Sequence, residues 1–473
     1  MRNFSKISIH KRLLTLLTLL PLLQCTDEHL LSPSTITVVD NLNSSDAGST
    51  ELDACGTCTY VIPESTTIVD GNLLELVPGN VICLDSRIKY GNLIFRNLRG
   101  SRENPIIIRN CGGIAQVDGT GKSNAIKTEN SQHFRITGGD VKNSYGIIVS
   151  GGTMGINIAH LSSHFEVDHV EIQHVGFAGL MAKTDPGCDE ATWRGNFLMK
   201  GVAIHNNYIH DTGGEGIYAG NSFFKGAKTS CGEKLPHEIH YIRIYSNVIR
   251  NTGWEGIQLG CATRGASIHA NIIENYGLAG IQAQNNGIQI GAGTGGLCYN
   301  NLIKRGSGNG LIVMGLGDNV IYNNIIDQAG NYGIFCDERY SPGPGFKFIN
   351  NTILNPKSDG IRIYADEVAM NVIVNNIIAN PGSYSLYSYP RASLDAFIYK
   401  LSDRVKIEEH HNYFTTDCAS IAPLAKMDTY RLEYGSPVID QGADISAYNI
   451  KTDFYYKSRL RGTSYDIGAV EQY

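Results

Sequence analysis

An all-β solenoid is the fold class that this 473-residue sequence predicts. Three observations carry it. A short unit recurs along most of the chain, its arc has a fixed length, and its connecting segment varies. Composition agrees: 53 glycines is about 11% of the chain, above the usual roughly 7%. Only 18% of residues are charged, and Ala, Glu, Lys and Leu do not dominate, so a coiled coil is excluded. The 25 tyrosines and 42% hydrophobic residues exclude a disordered chain. A net charge of −6 without a basic stripe excludes a general nucleic-acid binder.

The recurring unit runs from about Thr137 to Asn380. Its form is Asn-Asn-x-Ile, a polar turn, then Gly-Ile. Copies are Asn206-Asn207 with Gly216-Ile217, Ser246-Asn247 with Gly256-Ile257, and Ala270-Asn271 with Gly280-Ile281. Asn300-Asn301 with Gly310, Asn323-Asn324 with Gly333 and Asn350-Asn351 with Gly360 follow, and Asn375-Asn376 opens one more. The second Asn precedes the Gly by nine residues in all six complete copies. Successive second Asn residues lie 40, 24, 30, 23, 27 and 25 apart. Helical repeats of about 33 residues or more fit poorly. β-Branched residues beside each Asn and Gly favour short strands. The Asn residues are expected to stack in a ladder, and the Gly to permit a tight bend where a side chain would clash.

Upstream, the alternation from Val81 to Ile108 reads as the first coils. Residues 52–400 are assigned to the solenoid. Residues 401–473 lose the period and are read as a C-terminal cap, since a solenoid must cover its last apolar face.

These motifs resemble the right-handed parallel β-helix superfamily, which includes pectate lyases and many bacterial glycan-degrading proteins. The resemblance implies a right-handed parallel β-helix solenoid with a C-terminal cap, acting on a polysaccharide. It specifies fold more than function. Ser436-Pro437-Val438-Ile439-Asp440 and Asp466-Ile467-Gly468-Ala469 resemble the ending of many secreted bacterial β-helix proteins.

Residues 1–24 read as a secretory signal: Arg2, Lys6, Lys11 and Arg12, then an apolar run from Leu13 to Leu23. That run is too short to span about 30 Å of hydrocarbon. Leu22-Leu23-Gln24-Cys25 resembles a bacterial lipobox, which implies lipidation at Cys25. Thr26-Asp27-Glu28 opens a polar tether over 25–51 and resembles the surface-export signals of Bacteroidetes lipoproteins. The reading is an exported lipoprotein of the outer membrane or cell surface, monomeric, with no nucleic-acid partner. Removing the four basic residues takes the net charge from −6 to −10. Ten cysteines besides Cys25 suit disulfides in an oxidising compartment. The expected pairs are Cys83 with Cys111, Cys188 with Cys231, and Cys261 with Cys298. Cys55-Gly-Thr-Cys58 is read as structural.

The variable segment locates the chemistry. From each Gly to the next second Asn it measures 31, 15, 21, 14, 18 and 16 residues, after 28 from Gly179 to Asn207. Long insertions from one corner would wall a groove. If the Ile points inward, positions one and three beyond it point outward. Candidate sugar-contacting residues there are Lys183, Tyr218, Gln258, Gln282, Gln284, Asp337 and Arg362. Asp185 opens the first long loop. Glu215 and Glu255 both precede a repeat Gly, and adjacent coils would bring them to about 4.8 Å. Two carboxyls so close raise one pKa. That is the acid/base arrangement of a glycoside hydrolase, at a spacing near the retaining geometry. A bound Ca²⁺ is a second explanation of the pair. His210 and Asp211, adjacent in the same turn, are further candidates for proton transfer. A polysaccharide lyase is the alternative enzyme, and a noncatalytic glycan-binding or adhesion protein the alternative outside catalysis.

Overall fold

Each turn of the chain consists of three short strands whose inward positions are Ile, Val or Leu. The computed structural model describes residues 55–139, 141, 144–338, 343–382, 394–418 and 429–473. The expected leader, tether and Cys25 lie outside those residues. All described residues fall in one compact unit, Asp40–Tyr473. One coil shows the plan. Leu198–His205 belongs to a first sheet, Tyr208–Thr212 to a second and Ile217–Ala219 to a third. Each pairs in parallel with the equivalent strand one coil on. Among the described residues the three sheets contain thirteen, twelve and twelve strands. A parallel connection of this kind is right-handed almost without exception.

The register aligns one apolar residue per coil on each sheet. In the second sheet Ile172, Ile209, Ile249, Ile273, Ile303 and Ile326 follow one another. In the third, Leu180, Ile217, Ile257, Ile288 and Leu311 do the same. All are 0% exposed. Burying each such side chain contributes about 1.5–3 kcal/mol, so the interior stacks hold the solenoid together.

The Asn-Asn pair marks the corner between the first and second sheets, and its two residues do different work. The first position (Asn206, Ser246, Ala270, Asn300, Asn323, Asn350, Asn375) has φ between +52° and +57°. Asn tolerates that left-handed conformation better than most residues. The second is fully buried, and its Nδ2 donates to Oδ1 of the next coil's Asn. The ladder runs Asn207, Asn247, Asn271, Asn301, Asn324, Asn351, Asn376, Asn412 at 2.9–3.0 Å. The expected ladder is therefore present and continues one coil beyond the repeat.

The glycine has a different cause from the expected bend. Its backbone is ordinary; what excludes a side chain is the next coil. A Cβ at Gly256 would lie 2.5 Å from Ile273 Cγ2 and 2.7 Å from the Gly287 carbonyl oxygen. Gly287, not Gly280, is thus the next member of the glycine stack. The third-sheet strand is Ile288–Ile290, and Gly280 sits in a loop. That copy breaks the nine-residue spacing because residues 275–287 make an excursion between the second and third sheets. Gly277, Leu278 and Ala279 donate their N–H groups to the carbonyls of Trp254, Thr252 and Gly253, so the excursion lies on the turn of the coil before.

Strands begin at Tyr60–Val61, ahead of the Val81–Ile108 alternation and inside the assigned span 52–400. The boundary at 400 falls inside the last coil, whose strands are Ile398–Lys400, Ile407–His410 and Tyr413–Thr415. Residues 429–473 run back along the Asn corner. Nδ2 groups of Asn300, Asn323, Asn350 and Asn375 donate to the carbonyls of Asp453, Thr452, Asp466 and Ala443. Val438, Ile467, Ala469 and Val470 pack on Leu302, Ile325, Leu354 and Ile377 of the second sheet.

Cys188–Cys231 is bonded as expected. The pairing Cys83–Cys111 is not formed: Cys83 bonds Cys58 and Cys111 bonds Cys55. The Cys55-Gly-Thr-Cys58 pair staples the N-terminal segment to two successive first-sheet strands. Cys261, Cys298 and Cys336 are buried free thiols, and the expected Cys261–Cys298 bond is absent. Cys298 stands between Ile268 and Ile321 in the interior stack, where a thiol serves as a small apolar side chain.

Candidate functional site

Two parallel rows of side chains cover the outer face of the third sheet. The first occupies the position before each stacked glycine: Ala178, Glu215, Glu255, Asn286, Asn309, Tyr332, Asp359. The N–H of each following glycine donates to the carbonyl of the next member, which sets their order. The second row is Met181, Tyr218, Gln258, Gln289, Ile312, Phe335, Arg362 and Tyr399, fixed by strand register. Three contacts tie the rows together. Asn286 Nδ2 donates to Gln289 Oε1 (3.3 Å), Arg362 Nη1 donates to Asp359 Oδ2 (2.8 Å), and Tyr332 stacks on Phe335.

The structure places Glu215 and Glu255 on neighbouring coils, as expected, and buries both. They are 1% and 0% exposed. Burial pushes the Glu215 carboxyl up to about 7, against a backbone hydrogen bond and the Lys183 charge. It pushes Glu255 up to about 8, with the neighbouring Glu215 charge adding to the shift. Asn286 Nδ2 donates to Glu255 Oε1 at 3.1 Å. Oε2 of each Glu and Oε1 of Gln258 are buried without a hydrogen-bond partner. Each of these buried acceptors lacks a donor. Protons on the carboxyls supply donors; oxygen ligands of this kind also fit a hard cation such as Ca²⁺, which Glu215, Glu255 and Gln258 would hold.

Lys183 lies 4.6 Å over the Tyr218 ring and 3.0 Å from Asp185. Burial alone would lower its amine, but Tyr218, Asp185 and Glu215 outweigh it and hold it above its ordinary value. Asp185 also accepts from Asn221 Nδ2 at 3.0 Å.

The expected groove is partly roofed. Tyr218, Gln258 and Gln289 are only 9%, 3% and 7% exposed, whereas Ile312, Phe335, Arg362 and Tyr399 are half-buried. The roof consists of residues 183–197 and 220–237. Ser222 Oγ meets the Tyr218 hydroxyl at 2.9 Å and accepts from Gln258 Nε2 at 2.6 Å. The two segments bind each other through Cys188–Cys231, Arg194 Nη2 to the Phe224 carbonyl (2.7 Å), Arg194 stacked on Phe224, and Lys234 on Trp193. Buried His237 accepts from the Thr184 N–H at 3.0 Å, which joins their bases. With Gly287 as the true stack member, only these two insertions are long. The third long interval of the sequence is the excursion at a different corner.

Other expected residues are placed elsewhere. His210 and Asp211 lie on the second sheet. His210 Nδ1 meets Asp211 Oδ2 at 2.7 Å and Nε2 meets Glu171 Oε1 at 3.2 Å. Asp211, at φ +53°, heads an outer ladder in which Asn251 donates to it and Asn275 to Asn251. Both belong to that surface ladder and not to the rows around Glu215. Gln282 and Gln284 fall on the excursion rather than on the sheet, and Gln289 takes the expected position. The repeated pattern Ile257-Gln258-Leu259 and Ile288-Gln289-Ile290 could have revealed it. Arg362 is in the second row, its guanidinium 4.0 Å from the Tyr399 ring. Asp337 lies two residues beyond Phe335 of that row, just past the strand Ile334–Cys336. An open depression of about 500 Å³ lies on the corner of the three preceding coils, lined by Lys122, Thr153, His174 and several glycines. It has no acid pair, so chemistry points to the rows instead.

Geometry and comparison agree on class. Residues 237–396 match the family model described as right handed beta helix region, and the chain has the right-handed parallel β-helix fold. No curated protein matches it. A pectate lyase, Pel9A, shares the fold at 13% identity and TM-score 0.51, over 88% of this chain and 97% of that chain. An alginate lyase from Paenibacillus sp. str. FPU-7 shows 16% identity and TM-score 0.43, over 65% and 96%. A GH136 lacto-N-biosidase from Eubacterium ramulus shows 14% identity and TM-score 0.45, over 76% and 68%.

Proposed function

We propose that the protein is an exported, lipid-anchored polysaccharide-active enzyme, most simply a glycoside hydrolase with Glu215 and Glu255 as its acid pair. The observation that carries this reading is the pair itself: adjacent buried carboxyls, both shifted toward neutrality, at one end of a row of amide, aromatic and guanidinium side chains. Proton transfer at neutral pH needs carboxyls so tuned. One carboxyl of the pair stays protonated as the general acid while the other ionises and serves as nucleophile or base, and about 4.8 Å between coils is near the retaining geometry. Gln258 and Gln289 would hydrogen-bond sugar hydroxyls, and Phe335 and Tyr399 would carry apolar sugar faces. The fold shared with a pectate lyase is consistent with a glycan as partner. The three disulfides formed among the described residues fit an oxidising compartment.

A lyase is the second reading, and Lys183 beside Tyr218 is the observation that favours it. A lyase needs a neutral base, however, and Lys183 is held in its charged form. A screen of neutral and uronate-containing polysaccharides separates the readings. Hydrolysis gives reducing ends without unsaturated-uronate absorbance, and a lyase gives that absorbance. A binder retains glycan and yields no product. Full activity in Glu215→Gln would sink the acid-pair assignment.

A further inference from the structure

The acid pair is sealed from solvent, so a function that uses it requires an opening. The structure shows which part can provide one. Residues 183–197 and 220–237 are fastened to each other by a disulfide, a hydrogen-bonded Arg194, two cation–ring contacts and a bridge between Trp193 and Pro236. Their outer part carries the short antiparallel hairpin Ala227–Thr229 with Gly232–Lys234. Their hold on the solenoid beneath is a handful of contacts: Ser222 bonds Tyr218 and Gln258, Lys183 lies over the Tyr218 ring, Cys261 Sγ donates to the Asn221 carbonyl, and Phe224 lies flush on Gly293. Gln258, one of the two Ser222 partners, keeps its other polar atom unsatisfied beneath the roof.

Resting on the function proposed above, we propose that these two segments are a gate that lifts as one body from the Tyr218–Gln289 stretch, breaking the Ser222 contacts and exposing Glu215 and Glu255 to a glycan. The disulfide does not bar the opening. It joins one moving segment to the other, so the two leave together. The half-buried stretch from Ile312 to Tyr399 lies in line with the gated one, and a glycan resting there would enter from that side.

Carboxyl labelling tests the gate without relying on turnover. The intact protein is treated with a water-soluble carbodiimide and an amine probe, and labelled peptides are quantified over time. Exposed Glu190 reports full access, buried Asp168 reports unfolding of the solenoid, and buried Glu471 and Asp453 report unfolding that reaches the tail. Glu215 and Glu255 should label more slowly than Glu190 yet faster than Asp168. Ser222→Gly should speed the pair by about tenfold, the change expected from losing ordinary hydrogen bonds, with Asp168 still protected. Cys188→Ser with Cys231→Ser should separate the amide-exchange rates of the two segments, which coincide in the parent. Labelling of the pair in step with Asp168, at the same rate in Ser222→Gly as in the parent, or as fast as Glu190 in the parent, each overturns the gate. If Ser222→Gly unfolds, Asp168 reveals it and the exchange comparison of the serine pair decides. A gate that opens on a protein cutting no glycan would leave this inference standing and remove the hydrolase.

Discussion

Glu215 and Glu255 are charged in an unfolded chain at neutral pH and held neutral in the folded one. Their carboxyls rise from 4.5 to about 7 and about 8, chiefly through burial. A raised acid means that the unfolded state binds fewer protons, so stability falls as pH rises. The loss begins near pH 4.5 and is complete once pH passes about 8. One pK unit corresponds to about 1.4 kcal/mol, so shifts of this size cost on the order of 8 kcal/mol at alkaline pH. Chemical denaturation of the parent between pH 5 and 8.5 should show that decline. Glu215→Gln with Glu255→Gln should flatten the profile and raise stability at pH 8; a parent profile that is flat over this range excludes the shifts. Activity on a glycan should peak between about pH 7 and 8, where one carboxyl is ionised and the other protonated. It should fall on both sides.

Strands and turns were legible from the sequence to different degrees. The Asn ladder could be read because both its residues answer to local demands: a left-handed corner and a buried amide. The stacked glycine could be read at Gly216, Gly256, Gly310, Gly333 and Gly360. Its cause is contact with the next coil, which no single unit displays, and this is why Gly280 was indistinguishable from Gly287 by spacing. The excursion of 275–287 keeps a Gly-Ile at the expected distance while the sheet takes the following one. His210 and Asp211 lie on the second sheet although only three residues separate Asp211 from Glu215, because the chain turns a corner between them. Glu215 and Glu255 were legible as a pair, but the roof over them was not, because it depends on how two long loops fasten together. The glycine argument is testable at this scale. Gly310→Ala puts a Cβ 2.4 Å from Ile326 Cγ2 and 2.7 Å from the Gly333 carbonyl oxygen. Overpacking of that kind costs about 1–3 kcal/mol, to be measured by denaturation. Gly280→Ala has nothing within 4 Å but a φ of +65°, so its cost should be strain of about 1 kcal/mol. Equal costs of 3 kcal/mol at both positions would contradict the assigned register.

A solenoid gains stability coil by coil from its neighbours, so a long-range fastening has consequences that a globular core would hide. The tail from 429 to 473 is such a fastening. It spans four coils along the Asn corner and is held by Arg459, 1% exposed, which donates to Glu471 Oε1 (2.8 Å), Asn323 Oδ1 (2.6 Å) and the Gly468 carbonyl (2.7 Å). One side chain thus binds the tail to itself and to the solenoid. Replacing it with Ala leaves Glu471 buried without its cation, a change that typically costs about 3–5 kcal/mol. Glu471 is already raised to about 7 by burial, so it can take up a proton and recover part of that cost below neutrality. Above pH 7 it cannot, and the tail should detach, uncovering Leu302, Ile325, Leu354 and Ile377. The coils near Ile106–Cys111 do not touch the tail and carry their own disulfides, so they should stay folded. Hydrogen exchange on Arg459→Ala at pH 8 should therefore show lost protection across 429–473 and the Asn300–Asn376 corner, with Ile106–Cys111 unchanged. At pH 6 much of the tail's protection should return. Uniform loss along the whole chain would mean that the tail and the solenoid fold as one cooperative unit.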